Sequence, residues 1–489
     1  MNIKLVARYI GIALLFNAVF MLISAGVSAY YDFDSAFSSL LFSGFICGAV
    51  GVFPLIFVRK SENINLRDGF AIIILAWVLS CFFGALPYLM WGGPFTPINA
   101  WFESVSGYTT TGATILQEVE IVPKGLLFWR SSTHFIGGIG VVIFMLIVLP
   151  SQSTFIMKIS RMEISTLSMD NFKYKTQHTV RIIGSVYLAI TVLSTISLMI
   201  AGMNFYDAIN HAFSIVSTGG FSTKNSSILS FHSFPIEMVS MIFMLFAGLH
   251  FGLLYSFFAK GSKELLRSPA IRFFLLTVLV FSLAIALNIK LSGNVNSWGM
   301  ALREGFFHTI SYGTTTGLAI TDTTLWPNFS IWLLIYLSVQ TACSGSTTGG
   351  IKVDRMFIFF QIIRTQIKRH FHPNAVVTIR YGNHTISRDN AYNVVAFIAF
   401  YILILFIGTL LVSLTDVSLE ESFSASVASL GNVGPALGRC NSLGNYNSFS
   451  QFAKIVLMIE MLIGRLEIYT MLMVFVIFRK NNKSKVSFQ

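Results

Sequence analysis

The chain has 489 residues, 54% of them hydrophobic and only 11% charged, at a mean hydropathy of +0.71. A water-soluble fold carries about 25% charged residues to cover its surface, so a large soluble catalytic module is excluded and the chain reads as a bilayer protein. The formal charge of +12 does not require a nucleic-acid partner, because basic residues gathered on one membrane face account for it.

Apolar runs of membrane length fall at about 10–29, 36–58, 69–91, 126–149, 180–202, 236–259, 271–291, 329–363 with an interruption, 391–414 and 453–478, which predicts ten spans. The first follows Lys4 and Arg8 and ends at Ser24-Ala25-Gly26-Val27-Ser28-Ala29, which has the small residues of a signal-peptidase site; the run is long enough to span, and its retention is expected. Between the third and fourth, fifth and sixth, seventh and eighth, and ninth and tenth runs lie stretches near 95–123, 203–234, 293–327 and 416–452. They are semi-apolar and rich in Gly, Ser, Thr and Asn, too long for turns and too broken to span, as re-entrant segments are. With the N-terminus inside, 23 of the 33 lysines and arginines fall on cytoplasmic junctions. The positive-inside rule then places both termini in the cytoplasm and opens all four re-entrant segments to the outside. Residues 376–386, β-branched on both sides of Gly382-Asn383, predict a small cytoplasmic hairpin, either a compact loop or a docking surface.

The re-entrant segments share one core. They read Ser106-Gly107-Tyr108-Thr109-Thr110-Thr111-Gly112, Val216-Ser217-Thr218-Gly219-Gly220-Phe221, Ser311-Tyr312-Gly313-Thr314-Thr315-Thr316-Gly317 and Ala428-Ser429-Leu430-Gly431-Asn432-Val433-Gly434. Gly112, Gly219, Gly317 and Gly431 are 107, 98 and 114 residues apart, so a unit of span, short helix, Thr/Gly loop and span occurs four times. Four such units in one orientation surround an axis, and the expected architecture is an all-α polytopic membrane protein with a pseudo-fourfold pore. Its parts are two N-terminal spans (1–67), pore repeats at 68–176, 177–267 and 268–387, and a fourth with the cytoplasmic tail at 388–489. Glycine lets an extended loop turn carbonyl oxygens inward, carbonyl rings replace a cation's hydration shell, and the negative ends of four short helices favour a cation. The candidate filter residues are Thr110, Thr111, Gly112, Thr218, Gly219, Thr315, Thr316, Gly317, Leu430, Gly431 and Asn432.

The eighth run is broken by Ser344-Gly345-Ser346-Thr347-Thr348-Gly349-Gly350, followed by Ile351-Lys352. Irregular backbone at membrane depth must be buried in protein or line a wet cavity, which places it beneath the filter. Gly345 and Gly350 half-match a phosphate-binding loop, but Ile351 stands where the lysine must be, so no nucleotide site is expected. Arg465 lies about 21 Å along a helix from Arg479, and a guanidinium at that depth needs a wet cavity, Glu460, Glu467 or a loop carbonyl beside it.

These filters, the broken span and Gly464-Arg465-Leu466-Glu467-Ile468 resemble the Trk/Ktr/HKT superfamily of potassium transporters, most closely its bacterial TrkH and TrkG type, over nearly the whole chain. The resemblance implies K⁺ as the bound and transported ion, with Gly112 at the position where serine accompanies sodium permeation. It implies a gate made by Gly345, Ser346, Thr347, Thr348, Gly349, Gly350, Lys352 and Arg465. It further implies a homodimer in the bacterial inner membrane, working on a cytosolic TrkA-type nucleotide-binding ring. A Na⁺- or H⁺-coupled symporter is the alternative within transport. An intramembrane enzyme using Glu460, Glu467 or a buried histidine is the alternative outside it. His370 and His372 lack a third ligand at metal spacing, and His134, His250 and His308 read as packing residues. Of Cys47, Cys81, Cys343 and Cys440, none is spaced for a disulfide or zinc, and Cys440 is expected as an accessible outer thiol.

Overall fold

The computed structural model describes residues 2–58, 66–148, 176–373, 377–382 and 384–471. The predicted junction at 149–175, Val376 and Asn383 of the hairpin, and the tail after 471 lie outside the described residues. Among the described residues the chain is mostly helical, and helix stands at each of the ten apolar runs. Six helices are long and apolar enough to cross a membrane: Ile3–Tyr30, Phe37–Phe57, Arg67–Trp91, Arg181–Ile200, Pro269–Leu291 and Arg388–Val412. Their outer faces expose large apolar side chains such as Phe42, Phe45, Leu276 and Phe406, as helices in a hydrocarbon solvent do.

Three of the other runs are broken. The run read as one span at 236–259 is two helices, Phe234–Gly248 and Phe251–Lys260, bent by 105°. At the bend Leu249 is extended and the His250 ring accepts the Leu253 N–H at 3.2 Å, capping the second helix. The eighth run stops at Gln340 and resumes at Val353. These two breaks complete each other: Phe251 N–H donates to the Gly345 carbonyl at 3.1 Å and Cys343 N–H to that of Gly248 at 3.1 Å. Backbone groups left open by one interrupted helix are thus satisfied by the other, as a low-dielectric setting demands. The tenth run, read as continuous, breaks at Glu467, whose φ is 60°.

Four short helices, Pro97–Tyr108, Phe205–Val216, Trp298–Gly313 and Leu419–Gly431, precede the Thr/Gly loops. Side chains of Thr96, Asn204 and Ser418 cap three of them by accepting N–H groups of Asn99, Asp207 and Glu421. Arg380–Tyr381 and His384–Thr385 pair antiparallel as the expected hairpin. Cys440 is 1% exposed, so the accessible thiol expected from its loop position is absent.

Glu421 also reaches forward to the turn at 438–440, accepting the Arg439 N–H at 3.0 Å and its guanidinium at 2.8 Å. The guanidinium's hydrogen bonds hold the carboxyl down at about 2. A depressed carboxylate stabilises the fold above its unfolded value of about 4.3 and loses that contribution as pH falls through the folded one. Wild type is therefore expected to melt above Glu421→Gln at pH 6, with the gap closing between about pH 4 and pH 2; a gap independent of pH would refute the assignment.

Candidate functional site

The four Thr/Gly loops superimpose in their hydrogen bonding. Thr110, Thr218, Thr315 and Asn432 each have φ between 52° and 57°, and each donates its N–H three residues back, to Gly107, Ile215, Tyr312 and Ser429. The next residues, Thr111, Gly219, Thr316 and Val433, donate five residues back, to Ser106, Ser214, Ser311 and Ala428, at 2.7–2.9 Å. The third position is glycine throughout: Gly112, Gly220, Gly317 and Gly434, with φ of 81°, 85°, 72° and 91°. Gly219 lies one position and Gly431 three positions before the third-position glycine of its loop, whereas Gly112 and Gly317 occupy that position.

These third-position glycines close a ring. A Cβ on Gly112 would collide with the Gly219 carbonyl oxygen, one on Gly220 with that of Thr316, one on Gly317 with that of Val433, and one on Gly434 with that of Thr111. Each loop therefore packs its glycine on the carbonyl of the next, in the order first, second, third, fourth, first. Threonine hydroxyls brace the loops from behind: Thr109 Oγ1 donates to the Val105 carbonyl at 2.7 Å and lies 2.8 Å from Thr111 Oγ1, and Thr314 repeats this with Ile310 and Thr316. In the fourth loop Asn432 takes over, its amide donating to Thr111 Oγ1 at 3.0 Å and to the Met461 carbonyl at 2.9 Å. A cavity of about 70 Å³, lined by all four glycines, opens on the side of the loop exits.

The exits form a second ring. Glu103 accepts the Ile115 N–H at 2.9 Å and pairs with Arg130 at 2.6 Å, and Arg130 donates to the Ser222 carbonyl at 3.0 Å while lying 3.5 Å over the Phe221 ring. This joins loops one and two. Ala319 N–H donates to Ser227 Oγ at 3.2 Å, Ser442 Oγ to the Thr321 carbonyl at 2.9 Å, and Tyr446 N–H to the Thr114 carbonyl at 2.8 Å, joining the rest in turn. Arg130 is 3% exposed and Glu103 is fully buried; sequence reading did not single out this pair, and a lone cation inside the apolar run 126–149, with an acidic residue in the preceding short helix, was the available signal.

The broken span crosses beneath the ring. Thr347 Oγ1 donates to the carbonyl of Val216, at the end of the second short helix, at 3.0 Å. Gly349 abuts Gly431 and Asn432 of the fourth loop. The segment thus reaches between two loops that are opposite in the ring. Arg465 donates to the Thr347 carbonyl and, at 2.9 Å, to that of Gly137, so a loop carbonyl is among its partners. Glu467 pairs with Arg355 at 2.7 Å. The Lys352 ammonium lies within Coulombic reach of Glu467, Asp354, Arg355 and Arg465. Gly345, Ser346, Thr348 and Gly350 complete the segment, Ser346 Oγ lying 2.8 Å from Thr348 Oγ1. Glu460 packs against Gly408 and does not join Glu467. Among the described residues no group of three His, Cys, Asp or Glu side chains could hold a metal ion.

Removing one member of a buried ion pair leaves an uncompensated charge, at a cost of about 3–5 kcal/mol. Arg130→Ala is expected to lower the melting temperature of the detergent-solubilised protein accordingly, with the Glu103→Gln/Arg130→Met double variant less affected; a neutral Arg130→Ala would show that the pair does not hold the exits.

The family model for TrkH, described as a cation transport protein, matches residues 39–486. The TrkH and TrkG potassium uptake proteins of Escherichia coli K12 are 32% and 31% identical over 97% of this chain, and 99% and 98% of their own lengths are covered. The crystal structure of the potassium transporter TrkH from Vibrio parahaemolyticus superimposes with a TM-score of 0.88 at 30% identity, covering 98% of this chain and all of that one.

Proposed function

The chain belongs to the TrkH family of cation transport proteins, and on that premise we propose that it takes up potassium through the axis of the four-loop ring. It is a multi-pass membrane transporter and not an enzyme. The observation that carries the pathway is the closed ring itself, because four consecutive carbonyl-bearing loops, each seated on the next, are what a dehydrating filter requires. K⁺ sheds water against the carbonyls around Gly112, Gly219 with Gly220, Gly317, and the segment Leu430–Gly434. The C-terminal ends of the four short helices face this ring and favour a cation.

The 344–350 segment is the gate. It bridges opposite loops directly under the ring, and the Arg465 guanidinium at Thr347 adds a positive charge that K⁺ must approach with little water to screen it. Ten spans, with both termini in the cytoplasm of a bacterial inner membrane, complete the topology. A homodimer served by a cytosolic TrkA-type nucleotide-binding ring is the expected assembly, and the hairpin at 380–385 lies on the face such a partner meets.

Flux of ⁸⁶Rb⁺ or K⁺ in proteoliposomes tests this. Uptake should follow the K⁺ potential alone, whereas dependence on a Na⁺ or H⁺ gradient would establish coupled symport. Gly112→Ser places a side chain against the Gly219 carbonyl and should lower K⁺ over Na⁺ selectivity; an unchanged ratio would remove the filter assignment. Arg465→Ala, or shortening 344–350, should raise basal flux several-fold, and unaltered flux would remove them from the gate.

A further inference from the structure

One carboxylate links the cytoplasmic hairpin to the first residue of the gating segment. Asp354, in the opening turn of Val353–Phe371, is 5% exposed. Its Oδ2 accepts the Ser344 N–H at 2.6 Å, and its Oδ1 accepts the Tyr381 hydroxyl at 2.7 Å. Both are short, charge-assisted bonds inside the protein, the strongest class of hydrogen bond available to a side chain. A two-residue strand pair has little stability of its own, so the hairpin's position depends on where Tyr381 is held. Tyr381 is 8% exposed and meets the Phe357 ring edge-on at 5.7 Å, while Gly382 sits against Pro269 at the start of Pro269–Leu291.

The gating segment is held by such contacts along its length. Its middle is held by Thr347 to Val216 and by Arg465 to Thr347, and its far end by the Thr341 hydroxyl donating to the Gly349 carbonyl at 2.8 Å. Its near end is held by Asp354, and Gly345 then supplies the carbonyl that completes the bend at Phe251. Ser344 N–H needs an acceptor in a buried setting, and the carboxylate supplies it only while the Asp354 side chain keeps its orientation. That orientation is set from the other side by Tyr381.

We propose that Asp354 is a positioning residue for the gate, transmitting displacement of the cytoplasmic hairpin to the 344–350 segment through Tyr381 and Ser344. Drawing the hairpin outward removes the Tyr381 hydroxyl from Oδ1, the carboxylate turns toward solvent or toward neighbouring cations, and Ser344 is released. The proposal rests on the gating role given above to residues 344–350 and Arg465.

The test compares basal ⁸⁶Rb⁺ uptake by the full chain in proteoliposomes for wild type, Tyr381→Phe, Asp354→Asn, Arg465→Ala and the Tyr381→Phe/Arg465→Ala double variant. Tyr381→Phe keeps the ring and its packing and removes a single donor, so it serves where Asp354→Asn fails to fold. Uptake by Tyr381→Phe is expected to rise by up to about tenfold, the scale of one hydrogen bond to a charged group. Its Rb⁺ over Na⁺ preference should be unchanged, whereas a merely loosened protein would lose uptake and selectivity together. In the double variant uptake should match that of Arg465→Ala alone, because both act on one segment. Wild-type uptake by Tyr381→Phe beside raised uptake by Arg465→Ala would overturn the proposal and leave the gate standing. An equal gain from Tyr381→Phe with and without Arg465 would overturn it too, since the effect would then bypass the segment. No rise with Arg465→Ala would remove the gate, and the proposal with it.

Discussion

Everything at the centre of this molecule depends on four glycines, each pressed against the carbonyl of the neighbouring loop. Gly112, Gly220, Gly317 and Gly434 have no Cβ to offer, and any Cβ there would strike backbone. The contact is closed on itself, so no loop can shift without pushing the next. The residues two positions earlier carry the cost: Thr110, Thr218 and Thr315 sit in the left-handed region, where a β-branched residue is an outlier at about 1–2 kcal/mol each. Paired backbone bonds to the preceding helix hold them there. Strain of this kind persists only where surrounding structure over-determines it, and the second ring of contacts at the loop exits, with Glu103 and Arg130 buried in it, provides that.

Beneath this rigid layer the design is reversed. The helices interrupted at Leu249 and at Thr341–Lys352 satisfy each other's open backbone groups through few bonds, and the segment between them is tethered by side chains at Asp354, Thr347 and Arg465. A handful of polar contacts can be exchanged for others at modest free-energy difference, whereas the steric contacts above cannot. The layer proposed to select and the layer proposed to move are thus separated by the kind of force that holds each.

The repeat was legible in the sequence because its backbone requirement falls on particular residue types, and glycine beside threonine recurs where a strained loop needs it. The register in the second and fourth loops was not. Gly219-Gly220 offers two candidates in one loop, and Gly431-Asn432-Val433-Gly434 spreads them, with Asn432 taking the left-handed position that threonine holds elsewhere. Only the hydrogen bonds and the collision partners decide between them. Helix was legible at all ten apolar runs, but hydropathy carries no trace of the bend at Leu249, which a histidine cap and a distant carbonyl produce. For the same reason Glu467, read as one possible partner of Arg465, is found paired with Arg355, and the buried Glu103–Arg130 pair joins the first two loops unannounced. Partners that come from remote repeats leave no local pattern.

All four quarters of the ring are written in one polypeptide, and they are unequal: the third carries the long irregular segment between Gln340 and Val353, and the fourth has an asparagine where the others have threonine. A ring assembled from separate subunits dilutes a defective copy among intact ones and yields graded mixtures. Here a lesion in any quarter is inherited by the whole ring. Cells expressing wild-type and variant chains together would hold two discrete populations of ring, fully intact and uniformly altered, with nothing between.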